Sequence, residues 1–212
     1  MPDDPMEPVR RWLVREGEVG YHHGDLRAAL ILAGIELIAE KGIAGLSVAE
    51  AARRTGVSTA APYRHFANRN AFLLAVATEA GRIMGDQLEA ALEAVRERSA
   101  DPLDQLEAIA ETYVRFMITH RAGFDLVFVR ELQESEDQAL RDAGRRVIDL
   151  MLAPTIEVSP DMLRALELNE EIWTSAHGYA ALCLTGLFRA EDVLASAPRA
   201  ARRLGQAASG RL

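Results

Sequence analysis

The stretch LSVAEAARRTGVSTAAPYRHFANRNAFLL, Leu46 to Leu74, decides the fold of this chain. Ser47 with Glu50 three residues later has the capping-box pattern. The hydroxyl takes an early amide and the carboxylate reaches back to the cap. Val48, Ala51 and Ala52 give the short helix an apolar edge, and Gly56 stands where a left-handed C-cap is needed. A second start follows at once at Ser58 or Thr59. Pro62 belongs in the first turn of that helix, because deeper inside it would remove a backbone bond. The turn then presents Ala60, Ala61, Tyr63 and Arg64, and Asn68 opens a further helix. Two short helices joined by a tight turn form a helix-turn-helix, whose second element, Thr59 to Phe66, is suited to a DNA groove.

Working outward, GDLRAALILAGIELIAEKG (Gly24 to Gly42) carries Leu26, Leu30, Ala33 and Leu37 at helical spacing. Asp25 at its start and Lys41 at its end suit the helix dipole, and Gly42 closes it. At this point the sequence resembles the TetR family of one-component transcriptional regulators. The resemblance rests on the Gly-x-x-x-Leu-Ser-Val connection from Gly42 to Val48, on Ala49-x-x-Ala52-x-x-x-Gly56-Val57-Ser58, and on Tyr63-x-His65-Phe66-x-Asn68-Arg69. It implies an all-α protein: an N-terminal three-helix DNA-binding domain followed by a helical ligand-binding and dimerisation domain. One departure is Arg69, where the family usually has lysine. The cation survives the exchange and a fork is added.

Composition agrees. The 212 residues are 49% apolar and only 6% aromatic, with abundant alanine, which suits closely packed helices. The net charge of −8 is unevenly spread. The first seventy residues hold nine basic and nine acidic side chains, leaving 15 basic and 23 acidic ones for the rest. Between Ser47 and Asn70, Arg53, Arg54, Arg64 and Arg69 face only Glu50, so a basic tip on an acidic body is expected. The single Cys183 excludes an intrachain disulfide. No apolar run is long enough to cross a bilayer, and the Asp-rich start lacks a signal-peptide core. A cytoplasmic location and no membrane partner are the expectation.

The chain divides into an arm (1–20), the DNA-binding unit (21–70) and a second domain (71–212). Arg10, Arg11 and Arg15 either follow DNA as a basic arm or belong to a disordered tail. His22 and His23 adjoin the first helix start, with phosphate contact and capping both open. A long helix is expected from Asn68 to about Arg98. Asp101-Pro102 restarts the chain for a helix to about His120. Shorter segments follow at 124–130 and 135–152, with breaks at Pro154 and Ser159-Pro160.

A helix from Asp161 to about Ala190 is apolar on more than one side. With Trp173 as the origin, Leu166, His177, Ala180, Leu184 and Leu187 fall within about 40°. This bulky stripe is expected to line the subunit core. The opposite face gathers Ser175, Gly178, Leu182, Thr185 and Gly186, which are mostly small and would admit a second backbone. The last helix, about Glu191 to Ala208, would complete a homodimer contact of the kind the family forms. Trp173-x-x-x-His177-Gly178 is also similar to the Trp-His-Gly signature of one large TetR subgroup. His177 beside a tryptophan is either a satisfied core histidine or a ligand contact. Tyr113, Phe116, Met117, Phe124, Phe128, Met151, Trp173 and His177 are the expected walls of a pocket for a small, mostly apolar effector.

Enzyme chemistry finds no foothold. His177 and Cys183 lie about 240° apart on one helix and cannot pair as base and nucleophile. The five histidines have no metal-type spacing, and there is no P-loop or dinucleotide turn. Neither cofactor nor metal is expected.

The resemblance implies a homodimeric repressor that binds a near-palindromic operator in double-stranded DNA and is switched by a small molecule. The alternative is a helical sensor or adaptor of the same fold that does not bind DNA. For the operator, Thr59, Ala60, Ala61 and Arg64 are the expected base readers. Tyr63, His65 and Arg69 are the expected phosphate anchors, with Ser47 and Ser58 at the caps.

Overall fold

Ser47 opens the first helix of the motif as its spacing requires: Oγ accepts the Glu50 amide at 3.4 Å. The computed structural model describes residues 26–121, 126 and 129–210. Among them there are eight α-helices and no strand. We number the helices α1 (Leu26–Lys41), α2 (Val48–Arg54), α3 (Arg69–Arg96), α4 (Pro102–Thr119), α5 (Arg130–Gln133), α6 (Gln138–Val158), α7 (Met162–Leu184) and α8 (Ala190–Ala208). The arm, Asp25, the adjacent histidines, Phe124 and Phe128 lie outside the described residues.

The helix starts follow local chemistry. Asn68 Oδ1 accepts the Ala71 amide, Asp101 Oδ1 that of Leu103, and Asp161 Oδ1 that of Arg164. Each satisfies an amide that has no partner inside its helix. Gly56, at φ +73°, ends α2. Its amide returns to Arg53 and that of Val57 to Ala52, closing a Schellman cap.

α1 lies on the first half of α3, α2 packs on α1 and on the 3₁₀ turn that follows it, and α3 continues into the body against α4 and α6. α8 packs chiefly on α4 and α7. One apolar core runs the length of the molecule, from Leu30, Leu37 and Phe72 through Leu88, Leu106 and Ile109 to Leu168 and Ile172. These side chains are essentially fully buried, and each contributes roughly 1.5–3 kcal/mol of burial free energy. α3 thus serves both halves of this core.

Four expectations are corrected. First, Pro154 does not break the chain, since α6 passes through it. Proline removes one backbone bond there, and its buried ring keeps the packing. Second, the helix expected to reach Ala190 stops at Leu184. Gly186 takes φ +79°, and the Leu187 amide returns to Leu182. Thr185 and Gly186 therefore form a C-cap and not part of a helical face. Third, the bulky stripe faces the core only in part: its Ala180 is buried and its His177 and Leu184 are half-buried. The buried side of α7 is Ala165, Leu168, Ile172, Ala176 and Ala180, whereas Leu166, Trp173 and Leu187 are exposed. Three alanines on the inner side let α7 approach its neighbours closely, and the large side chains are displaced outward. Fourth, the second helix of the motif is a 3₁₀ turn, Ala61–Arg64, in place of an α-helix. Pro62 has no N–H to bond Ser58. The turn closes through shorter spacings, Ala61 to Ser58 and Tyr63 to Ala60.

His120, at the end of α4, is buried and stacks on Phe116 with centroids 4.6 Å apart. Burial pulls its pKa from 6.5 down to about 4. The folded state thus refuses a proton that the unfolded chain accepts. Its contribution is complete above pH 6.5 and fades as pH falls towards 4, amounting to about 3 kcal/mol. His120→Leu is expected to leave stability at pH 7 nearly unchanged and to flatten its fall between pH 6.5 and 4.5. Denaturant midpoints of both proteins at the two pH values test this. Parallel losses would mean that His120 is not the group being titrated.

Candidate functional site

The tip is built on two buried anchors. Pro62 is buried inside the 3₁₀ turn. Phe66, 2% exposed, stacks at 5.0 Å on Phe72 of α3. With these side chains pinned inward, Ser58, Thr59, Ala60, Arg64 and His65 are exposed, and so is Tyr63, at 58%. Ala61 is half-buried. Six predicted DNA contacts are therefore exposed on one short segment. Arg27 of α1 joins them, its guanidinium 5.6 Å above the Phe66 ring. No local pattern announces Arg27, since it reaches the tip from 39 positions earlier in the chain.

The charge at the tip is thinner than the sequence implies. Arg53 forks onto Glu50 at 2.9 and 2.7 Å, and these hydrogen bonds hold the Glu50 carboxyl down at about 2. The Glu50 carboxylate is thereby diverted to Arg53, so only the serine half of the capping box forms. Arg54 turns inward onto α1, where it bonds Glu40 and lies 3.7 Å from Glu36. Its hydrogen bond lowers the Glu40 pKa. Lys41 sits 3.7 Å from Glu50. Arg64 alone among the cations of the motif makes no ion pair or hydrogen bond with the described residues.

Arg69, expected on a phosphate, is exposed and also bonds its own backbone. Nε donates to the Leu46 carbonyl at 3.0 Å and Nη2 to that of Ile43 at 2.7 Å. Sequence reading missed this because a carbonyl partner leaves no mark on side-chain spacing.

In the body, Tyr113, Phe116, Met117 and Met151 are buried. The Tyr113 hydroxyl joins Trp173 Nε1 and His177 Nδ1, each at 2.8 Å. Indole nitrogen only donates, so the hydroxyl accepts from Trp173 and gives its own proton to His177 Nδ1. Neutral His177 then carries its proton on Nε2. Burial raises the Tyr113 pKa and lowers that of His177, and both shifts favour the neutral forms this chain requires. The structure thus brings together the predicted Trp173, His177 and Tyr113 across α4 and α7. Two open clefts lie elsewhere. One, of about 800 Å³, runs between α7 and α8 past Glu171, Ser175, Tyr179 and Arg203. The other, of about 450 Å³, separates α3 from α6 at Arg96, Arg145 and Asp149. Neither is lined by the expected effector residues. Ser175 is half-buried, and Gly178 and Leu182 are exposed on the outside of α7.

Among the described residues no cluster has the makings of a metal site, and no helix is long and apolar enough to cross a membrane.

Residues 30–76 match the family model for bacterial regulatory proteins of the tetR family, and residues 106–204 match that for the tetracyclin repressor-like C-terminal domain. The chain belongs to the TetR family. The two models meet the structure in the halves that α3 connects.

No curated protein matches the sequence closely. Several solved structures share its fold. A Rhodococcus sp. RHA1 protein of unknown function is 28% identical, with a TM-score of 0.70 over 86% of this chain and 96% of its own. SCO4454, a TetR-family transcriptional regulator from Streptomyces coelicolor, is 21% identical, with a TM-score of 0.67 over 86% and 95%. The fatty acid degradation regulator FadR from Bacillus halodurans is 14% identical, with a TM-score of 0.64 over 83% and 97%. The likeness to the last two is one of fold. Membership of the TetR family makes the chain a transcriptional regulator with a helix-turn-helix.

Proposed function

We propose that this TetR-family protein is a homodimeric repressor that leaves a near-palindromic operator when a small, mostly apolar effector binds. The observation that carries the reading is the tip. Thr59, Ala60, Tyr63, Arg64 and His65 are exposed close together in the chain, with Pro62 and Phe66 buried among them. Thr59, Ala60, Ala61 and Arg64 read bases, and the two alanine methyls suit thymine. Tyr63 and His65 take phosphates, with the hydroxyls of Ser47 and Ser58 beside them. The partner copy covers the outer side of α7 around Ser175, Gly178 and Leu182, together with the Thr185–Gly186 cap and α8. Two-fold pairing then sets the spacing of two operator half-sites. The effector enters between α4, α6 and α7 at Tyr113, Phe116, Met117, Met151, Trp173 and His177, and it acts on the tip by displacing α3. A hundredfold loss of operator affinity needs about 2.7 kcal/mol of coupling, within the range allostery supplies. The regulator works in the cytoplasm, where its DNA is.

One observation favours the second reading, a sensor of the same fold without operator binding: Arg53 and Arg54 are committed to acidic neighbours. Selection from random duplexes, followed by footprinting over a salt series, separates the two. A repressor selects a near-palindrome. Tyr63→Ala weakens every sequence alike, by about tenfold, the equivalent of one lost phosphate hydrogen bond and its packing. A change of sequence preference alone would remove Tyr63 from the phosphate contacts. Failure to enrich any sequence would leave the sensor reading.

A further inference from the structure

We infer that Arg69 is a positioning residue: its guanidinium staples the two ends of the helix-turn-helix together and sets the tip for binding. The inference rests on the operator-binding reading above. Leu46 immediately precedes Ser47, the cap of the first helix of the motif, and Arg69 is the first residue of α3 after the tip. The bond from Nε to the Leu46 carbonyl therefore closes the whole motif across 23 positions, and the Nη2 bond to Ile43 adds a second tie across 26. The accepting carbonyls belong to the first residue and the C-cap of the 3₁₀ turn Ile43–Gly45, which joins α1 to α2. The Ile43 carbonyl also accepts the Leu46 amide at 3.1 Å, so the turn and the staple share an atom.

Two directions follow from this geometry. A fork is needed, because Nε and Nη2 reach two separate carbonyls at once and a lysine ammonium on a flexible stem does not reproduce that. The staple also links α3 directly to the α1–α2 connection. α3 extends from Arg69 to Arg96 in the body, so any shift of α3 is passed to the α1–α2 connection at the staple as well as through the chain at Asn68. The exposed guanidinium works by fixing relative placement, and its two bonded N–H groups are taken by backbone.

A phosphate contact and a positioning staple leave different signatures. Removing a phosphate contact lowers the salt slope of log K by about 0.9, and the charge-conserving lysine restores most of the affinity. Removing a staple weakens binding without altering the slope. The test uses the full chain and a duplex selected by the wild-type protein. Affinity is measured across a salt series for wild type, Arg69→Ala and Arg69→Lys, and amide exchange is followed in the DNA-free proteins.

Arg69→Ala is expected to bind about tenfold more weakly at an unchanged slope, with Arg69→Lys recovering less than about threefold of this. The Gly45 and Leu46 amides, which bond Gly42 and Ile43, should exchange about tenfold faster in the alanine variant. A slope reduced by about 0.9, with near-full recovery in the lysine variant, would overturn the proposal in favour of phosphate contact. A lower melting point with unchanged affinity of the folded fraction would overturn it in favour of a merely structural role. Wild-type protein that selects no duplex would sink the operator-binding reading by itself. The exchange rates would then judge the staple alone, and unchanged exchange at Gly45 and Leu46 would overturn it.

Discussion

Phe72→Ala is expected to cost about 3–5 kcal/mol, the range for emptying a buried aromatic site. Phe72 is fully buried and lies between the tip and α1, 5.0 Å from Phe66 on one side and against Gly34 on the other. Its loss leaves a cavity under Phe66, the anchor that keeps the 3₁₀ turn inward. The surroundings are helices held elsewhere by Leu30, Leu37 and Val76, so collapse into the space is limited. For a chain of this length the thermal midpoint should fall by roughly 10 °C. Operator affinity should drop further than the unfolded fraction explains. Urea denaturation monitored by far-ultraviolet circular dichroism checks the first claim, and binding normalised to folded protein checks the second. A loss below about 1 kcal/mol would mean that the tip is not seated on this ring.

Gly34→Leu attacks the same seam by the opposite route, with an expected loss of about 3 kcal/mol, at the upper end of overpacking costs. A Cβ at Gly34 would lie 2.5 Å from Val76 Cγ2 and 2.8 Å from Phe72 Cζ. Both neighbours are fully buried, and the valine methyl is held by a branched, stiff side chain. Glycine in a helix interior forfeits about 1 kcal/mol relative to alanine, so even Gly34→Ala sets a propensity gain against a clash. At a contact this short the clash wins, and leucine adds three more heavy atoms to it. The sign is open to direct measurement: a variant as stable as wild type would show that α1 can move away from α3 without penalty. In the double variant Gly34→Leu/Phe72→Ala, part of the loss should return, because the new side chain enters the emptied ring site.

Helix starts and stops were legible wherever the partner atom lies within a few residues. Ser47, Asn68, Asp101 and Asp161 cap as their spacing requires, and Gly56 takes the left-handed conformation expected of it. The start of α6 was less legible, since its cap, Asp137, lies in a polar run where several residues could serve. Pro154 misled because proline is tolerated in a long helix when packing on both sides holds it. The tip residues were legible as a group, although their turn is 3₁₀. A one-residue change in hydrogen-bond spacing leaves the outward set nearly the same.

The charges and the face of α7 were not legible. Arg54 finds Glu40 across 14 positions, Arg146 finds Asp86 across 60, and Arg202 finds Asp101 across 101. A count of charges along the chain assigns such cations to the surface, where a folded neighbour then claims them. The Tyr113–Trp173–His177 chain is similar. The Trp-His spacing marked one helix, but the hydroxyl that joins the pair comes from α4, 60 and 64 positions away.

By itself, then, the sequence determined the helical architecture, the caps, the helix-turn-helix and the residues that stand on its tip. All of these follow from contacts within one or two helical turns, where spacing is geometry. Only the tertiary structure decided which side of α7 is buried, which arginines pair with acidic neighbours, and that Arg69 turns back to Ile43 and Leu46. A helix with apolar residues on several sides has no preferred rotation until a neighbour approaches. The alanines of α7 face inward because close helix packing accepts them there and leaves the larger Leu166 and Trp173 outside.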